Sequence, residues 1–176
     1  VRMVSDRWED FEKSVEFFVN TADEYHCHFL LFPEYLTYQL LSYLKAPDMR
    51  MMVRELVSLT DRYVEMFRRF AESYNIYIIG GSHPVMRDGR IYNTAHLFTP
   101  SGNVYTQEKL HITPEERSAG DIRHGESIRI FNTPLSRIAI QVCYDIEFPE
   151  ISRLLTLAGV EVVFVPFYTE EKKAYY

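Results

Sequence analysis

Cys143 ends the apolar run "RIAIQV" and is followed closely by Asp145, Glu147 and Glu150. A thiolate is the nucleophile of acyl transfer, and it needs a base to take its proton. Two further polar residues share the same structural address, just past a strand-like run: Glu34 after "FLLFP" and Lys109 after "VYTQE". In α/β sheets the carboxyl ends of strands are where sites gather. A carboxylate there suits the role of base, and an ammonium stabilises the negative oxygen of a tetrahedral intermediate. The backbone N–H after the cysteine, at Tyr144, adds to that stabilisation. A helix starting beyond Cys143 adds the positive end of its dipole and favours the thiolate.

Each residue alone has a plainer reading. A free cysteine at a strand end is ordinarily a small buried apolar residue. Glu34 alone fits a cap, and Lys109 alone a surface charge. Only the shared position of the three raises the joint reading. Asp145 and Glu147 read as holding the turn after Cys143, and Glu150 with Arg153 as an i,i+3 helix pair. Asn93 reads either as a turn residue or as fixing the strand near the site. Cys27 reads as core. The histidines are scattered, with no spacing that would bind a metal, and "GGSH" lacks the lysine and spacing of a phosphate loop.

The elements that must position these residues follow from periodicity. Trp8, Phe11, Val15, Phe18, Ala22 and Tyr25 form the apolar stripe of a helix capped by Ser5 or Asp6. "HFLLFPEY" is a short buried strand stopped at Pro33. From Pro47-Asp48 a helical pattern runs to Tyr74 through Met52, Leu56, Leu59, Tyr63, Met66 and Phe70, with a break near Thr60. "IYIIGGSH", "IYNTAHLF" and "VYTQEKL" are strands joined by the turns "RDGR" and "PSGN". His111 to Ser127 reads as a polar loop. "IRIFNT" and "RIAIQVCY" are strands, a helix runs from Pro149 to Ala158 with Gly159 past its end, and "VEVVFVPF" is a buried strand. This order implies a mixed α/β sheet with helices on its faces.

The bulk properties are those of one globular domain: 176 residues, 47% hydrophobic, 25% charged, net charge −6. No basic stripe argues for nucleic acid, and no run is long enough for a membrane span or a signal peptide. Two cysteines make no disulfide framework, so the expected compartment is the cytoplasm.

"FPEY" around Glu34, "EKLHITPEE" around Lys109 and "CYDIEFPEISRLLTLAGVEVVFVP" from Cys143 resemble the three signature blocks of the carbon–nitrogen hydrolase (nitrilase) superfamily. They stand in the family's order, and "GGSH" with "GRIYNTAHLFTPSGNV" fits the connecting region. The resemblance implies an αββα sandwich, with a mixed sheet and helices on its outer face. It also implies a Glu-Lys-Cys triad without cofactor or metal: Glu34 the base, Lys109 the electrostatic stabiliser, Cys143 the nucleophile that forms a thioester. Glu116, in preference to Glu115, becomes the supporting second glutamate, and Tyr144 supplies the oxyanion N–H. Tyr35, Phe167 and Tyr168 fall where substrate-lining residues are expected.

The implied activity is hydrolysis of a non-peptide C–N bond in a small amide, carbamoyl compound or nitrile, with amidase chemistry preferred. Acyl transfer to an amine acceptor, or a non-catalytic scaffold, are the alternatives. The implied partners are a small-molecule substrate and a second copy, as a homodimer or higher homo-oligomer. Residues 1–176 read as one partial domain, since "VRMV" looks like the remnant of a strand and a complete member continues past "TEEKKAYY". The sequence leaves the particular substrate open.

Overall fold

The structure is a computed structural model that describes residues 7–41, 44 and 48–168. Helix α1 (Trp8–Glu24) leads into β1 (Phe29–Leu31), a 3-10 helix (Leu36–Leu40), α2 (Met49–Val57) and α3 (Thr60–Ser73). The strands β2 (Tyr77–Arg87), β3 (Arg90–Phe98) and β4 (Val104–Glu108) follow, then α4 (Pro114–Gly120) and β5 (Ile122–Arg123). The last part holds β6 (Ile130–Asn132), β7 (Arg137–Ile140), a second 3-10 helix (Cys143–Glu147), α5 (Pro149–Leu157) and β8 (Val162–Phe164).

One sheet has the order β1-β2-β3-β4, with β5 also paired to β3; the other has the order β6-β7-β8. β1 runs parallel to β2 and β7 parallel to β8. Each parallel pair is joined through helices, α2 and α3 in one case and α5 in the other. β2 and β3 form an antiparallel hairpin closed by Asp88 and Gly89, whose φ values of 50° and 73° match the twist of the flanking strands.

Both faces of the first sheet are buried, and the alternation of its strands shows how. Ile78 and Phe98 pack with Trp8, Phe11 and Phe67 of the helices, while their neighbours Ile79 and Leu97 pack with Ile138 and Ile140 of the second sheet. Each such aromatic side chain, fully removed from water, contributes about 1.5 to 3 kcal/mol. α5 crosses from β7 to β8 and buries Leu155. The layers are helix, sheet, sheet, helix: the αββα sandwich expected from the sequence. Among the described residues, no helix is long and apolar enough to cross a membrane.

Several expectations shift. The stripe of α1 runs Trp8, Phe11, Val15, Val19, Ala22, leaving Phe18 and Tyr25 exposed. Spacings of three and four both fit a helical period, and Val19 lies nearer the mean direction of the face. Ser5 and Asp6 lie outside the described residues. The long helical pattern is two helices broken before Thr60, and the first is capped by Asp48, which accepts from the Met51 N–H. Pro47 lies outside the described residues. The polar loop after His111 contains α4, whose start is a reciprocal cap: Thr113 Oγ1 accepts from the Glu116 N–H, and the Glu116 carboxylate accepts from the Thr113 N–H. Cys27 is exposed rather than core, because the chain leaves α1 through a left-handed turn at His26. Glu150 and Arg153 make no ion pair among the described residues.

Candidate active site

Glu34, Lys109 and Cys143 come from three separate strand ends and meet. Lys109 Nζ lies 2.8 Å from Glu34 Oε1 and 2.8 Å from Glu116 Oε2, with the ammonium 1% exposed. The Cys143 thiol faces the Glu34 carboxylate, and each acts on the other's protonation. Asn93, on β3, bridges the two acids: its Nδ2 donates to Glu34 Oε1 and to Glu116 Oε1, both at 2.9 Å. Glu34 Oε2 accepts the Tyr168 N–H at 3.2 Å, and the Tyr168 carbonyl lies 3.9 Å from Cys143 Sγ. The segment after β8 therefore passes directly over the base and the thiol.

Local backbone geometry explains how each side chain is aimed. Cys143 has φ 47°, a left-handed conformation that costs a non-glycine residue about 1 to 2 kcal/mol. The surroundings hold it there: the Cys143 N–H donates to Pro166 O at 2.9 Å, and the preceding Val142 N–H donates to Asp145 Oδ2 at 3.1 Å. Tyr144 follows at the start of the 3-10 helix, where N–H groups lack intrahelical acceptors. Lys109 is fixed through its backbone, donating to Asn93 O at 2.8 Å and accepting from the Gly125 N–H at 2.7 Å. Glu34 precedes Tyr35, which is left-handed at φ 50° and donates its N–H to Ser82 Oγ at 3.0 Å. Tyr35 is buried and its hydroxyl donates to Glu116, so it supports the second glutamate from within the cluster.

The two carboxylates on Lys109 differ in basicity. Burial pushes Glu34 above the usual carboxylate range, and Lys109 only partly offsets this while the Glu116 anion adds to it. Burial also acts upward on Glu116, but Lys109, the Tyr35 hydroxyl and the Thr113 N–H together hold it below its usual value. Burial alone would lower the Lys109 ammonium; the anions of Glu34 and Glu116 outweigh it and raise it. Burial and then the Glu34 charge push the Cys143 thiol up to about 11. At neutral pH the arrangement is thus a neutral thiol facing the more basic of two carboxylates, with a fixed cation behind. That is the charge pattern of concerted proton removal and thiol attack.

Sequence reasoning missed several contributions. Asp145 is fully buried and accepts from Leu110 N–H, His111 N–H, the His111 ring and Val142 N–H, so it ties the Lys109 segment to the Cys143 turn. Gly81 lets β2 approach the backbone of Pro33, since an added Cβ would stand 2.0 Å from the Pro33 carbonyl oxygen. The register of β2 against β3 slips between Ile79 and Ser82, a bulge at the glycine pair. Adjacent glycines within a strand were the available signal.

The chain belongs to the carbon–nitrogen hydrolase family, whose pattern matches residues 2–175. Among curated proteins it is similar to a probable hydrolase, YhcX, of Bacillus subtilis, at 42% identity over 168 residues, covering 96% of this chain and 33% of that protein. It is also similar to the human omega-amidase NIT2, at 29% identity over 104 residues, covering 54% of this chain and 38% of that protein. The chain thus spans between a third and two-fifths of the length of these relatives. Among solved structures it resembles an amidase from Nesterenkonia sp. with a TM-score of 0.78 and 22% identity, covering 97% of this chain and 63% of that one. That likeness establishes the fold.

Proposed function

We propose that this chain carries the catalytic apparatus of a cysteine-nucleophile hydrolase acting on a small non-peptide amide, with Glu34, Lys109 and Cys143 as the triad. The observation that carries the reading is the convergence of a neutral thiol and a buried ammonium on the single carboxylate of Glu34. The Nesterenkonia amidase has been described with butyramide bound to a cysteine variant, and with acrylamide added at its active-site cysteine. Both descriptions support a small amide as substrate class here.

In this mechanism Glu34 takes the Cys143 proton as sulfur attacks the carbonyl carbon. The developing oxyanion is met by Lys109 and by the Tyr144 N–H. Lys109 has three donors, two of them used by Glu34 and Glu116, which leaves one for the substrate oxygen. Glu34 then passes its proton to the departing nitrogen. The thioester left on Cys143 is hydrolysed by a water that Glu34 deprotonates, and sulfur leaves as the thiol regains its proton. Glu116 and Asn93 hold Lys109 and Glu34 in place, while Phe167 and Tyr168, about half exposed beside the thiol, line the acyl group. Carbamoyl compounds and nitriles would follow the same first step.

The test is ammonia release from a panel of small amides, carbamoyl compounds and nitriles by the intact protein. Cys143→Ala should abolish turnover while Cys27→Ala leaves it unchanged. Turnover by the Cys143→Ala protein at the wild-type rate would end the proposal. Added hydroxylamine captures the thioester, and a product formed only with an amine present would shift the reading to acyl transfer.

A further inference from the structure

His83 stands outside the cluster just described, yet it is fully buried and both ring nitrogens are engaged. Nδ1 lies 2.9 Å from Thr37 Oγ1, and Nε2 lies 3.0 Å from Thr60 Oγ1. The Thr60 hydroxyl proton is already committed to Val57 O at 2.7 Å. Thr60 therefore accepts from the ring, Nε2 carries the ring proton, and Nδ1 accepts from the Thr37 hydroxyl. In the neutral ring the bonds run in one direction, from Thr37 through His83 and Thr60 to Val57, with Nε2 as the protonated nitrogen.

This relay joins three elements. Thr37 lies in the 3-10 helix that begins two residues after Glu34, Thr60 opens α3, and His83 belongs to β2. On β2, three consecutive residues hold alternate positions of the Glu34 segment. Gly81 packs against Pro33, Ser82 Oγ takes the Tyr35 N–H, and His83 takes the Thr37 hydroxyl. Glu34 thus sits between two fixed points. A carboxylate that removes a proton must be held to within a fraction of an ångström of the thiol, and supporting hydrogen bonds provide that precision.

We infer that His83 is a positioning residue for Glu34, acting through Thr37 and anchored by Thr60, and that this placement is required for the thiol of Cys143 to be activated. The inference rests on Glu34 being the base. The titratable groups facing the ring are Tyr63 of α3, stacked at 4.8 Å, and His96 of β3. Burial and then His96 hold the ring down at about 3, so it stays neutral across the working range.

The test is the rate of Cys143 alkylation by iodoacetamide in the intact protein, measured by the mass of the Cys143 peptide so that the exposed Cys27 is counted separately. The S–C bond forms, iodide leaves, and the thiol proton passes to Glu34, so the rate reads Glu34 placement without knowledge of the natural substrate. Thr37→Val, which keeps the shape and removes the hydroxyl, should slow alkylation about tenfold at neutral pH, with Thr37→Ser within about twofold of wild type. Thr60→Val should slow it in the same direction, and it carries the test if Thr37→Val does not fold, its hydroxyl being only partly buried. Wild-type alkylation rates in the valine variants, whatever their melting temperatures, would overturn the inference. Glu34→Gln separates the two levels: if it alkylates as fast as wild type, the base assignment fails. If it alone is slow, only the role of His83 fails.

Discussion

The Asp145 carboxylate grips His111 twice, accepting its backbone N–H at 2.7 Å and its ring Nδ1 at 3.0 Å. The ring is stacked on Phe148 at 3.5 Å, so the grip is closed from both sides. Because Asp145 also accepts from Leu110 and Val142, one buried side chain sets the distance between the ammonium of Lys109 and the thiol of Cys143. Asp145→Ala leaves the buried Val142 N–H and the part-buried Leu110 and His111 donors without their acceptor. The expected loss is about 3 to 5 kcal/mol, read as a shift in the denaturation midpoint. Asp145→Asn keeps the shape but cannot accept from every donor, and should retain the fold while losing most turnover. Wild-type turnover in Asp145→Asn would show that the link does not set the site.

Asn93 donates to both carboxylates, and its Oδ1 is buried without a partner among the described residues. A donor to a carboxylate favours the ionised form. Removing it in Asn93→Ala should raise Glu34 further, and Asn93→Asp should raise it more by adding a like charge. Glu34 must be ionised to accept a proton, and burial already holds it above the usual carboxylate range. Activity is therefore lost as pH falls through the raised value. The acid limb of the pH–rate profile should move to higher pH in the order wild type, Asn93→Ala, Asn93→Asp. Superimposable acid limbs in the three proteins would remove Asn93 from the electrostatics of the base.

The shared address of Glu34, Lys109 and Cys143 was legible because the three side chains follow strands, and strand ends are readable from apolar runs bounded by proline or polar residues. The roles proposed for them came from the resemblance of the surrounding blocks. What positions them was less legible. Asp145 looked like a turn residue because its other acceptor role spans more than thirty positions of sequence to Leu110 and His111. The α4 helix hid inside a polar stretch, although Thr113 and Glu116 at the ends of "TPEE" are a capping box with proline at the first position. Tyr35 was read by position alone as a substrate contact. A left-handed backbone sends its hydroxyl to Glu116, and no local propensity encodes that direction. The stripe of α1 drifted for a different reason: residues 18 and 19 both lie near one face at helical spacing, and Val19, nearer its centre, is buried while Phe18 reaches only the edge of Phe32.

Two buried histidines make the fold acid-sensitive. Burial holds His83 at about 3 and His96 at about 4, against an ordinary 6.5. The unfolded chain takes up these protons first, so stability is intact above about 6.5 and falls as pH drops toward the folded values. Each histidine costs about 1.4 kcal/mol per pH unit in that window. His96 stacks on Phe98 and leaves Nδ1 without a partner among the described residues, so His96→Phe is the tolerant replacement. Denaturant midpoints measured from pH 7 to pH 4.5 should fall in both proteins, with about half the slope in His96→Phe. An unchanged slope would assign the acid sensitivity to other groups.

Gly81 and Gly89 share a positive φ, 75° and 73°, but have different surroundings. A Cβ on Gly89 meets nothing within 4 Å, whereas one on Gly81 would stand 2.0 Å from the Pro33 carbonyl oxygen. Gly89→Ala therefore carries only the strain of a left-handed residue, about 1 to 2 kcal/mol, in a hairpin tip remote from Glu34. Gly81→Ala carries the strain of a positive φ plus a clash with backbone that cannot rotate away. The segment from Pro33 to Thr37 must move, and Glu34 moves with it. The expected outcome is a modest drop in melting temperature with full turnover for Gly89→Ala, and a larger drop with turnover reduced about a hundredfold for Gly81→Ala. Equal turnover in the two variants would mean that the contact between β2 and Pro33 does not set where Glu34 sits.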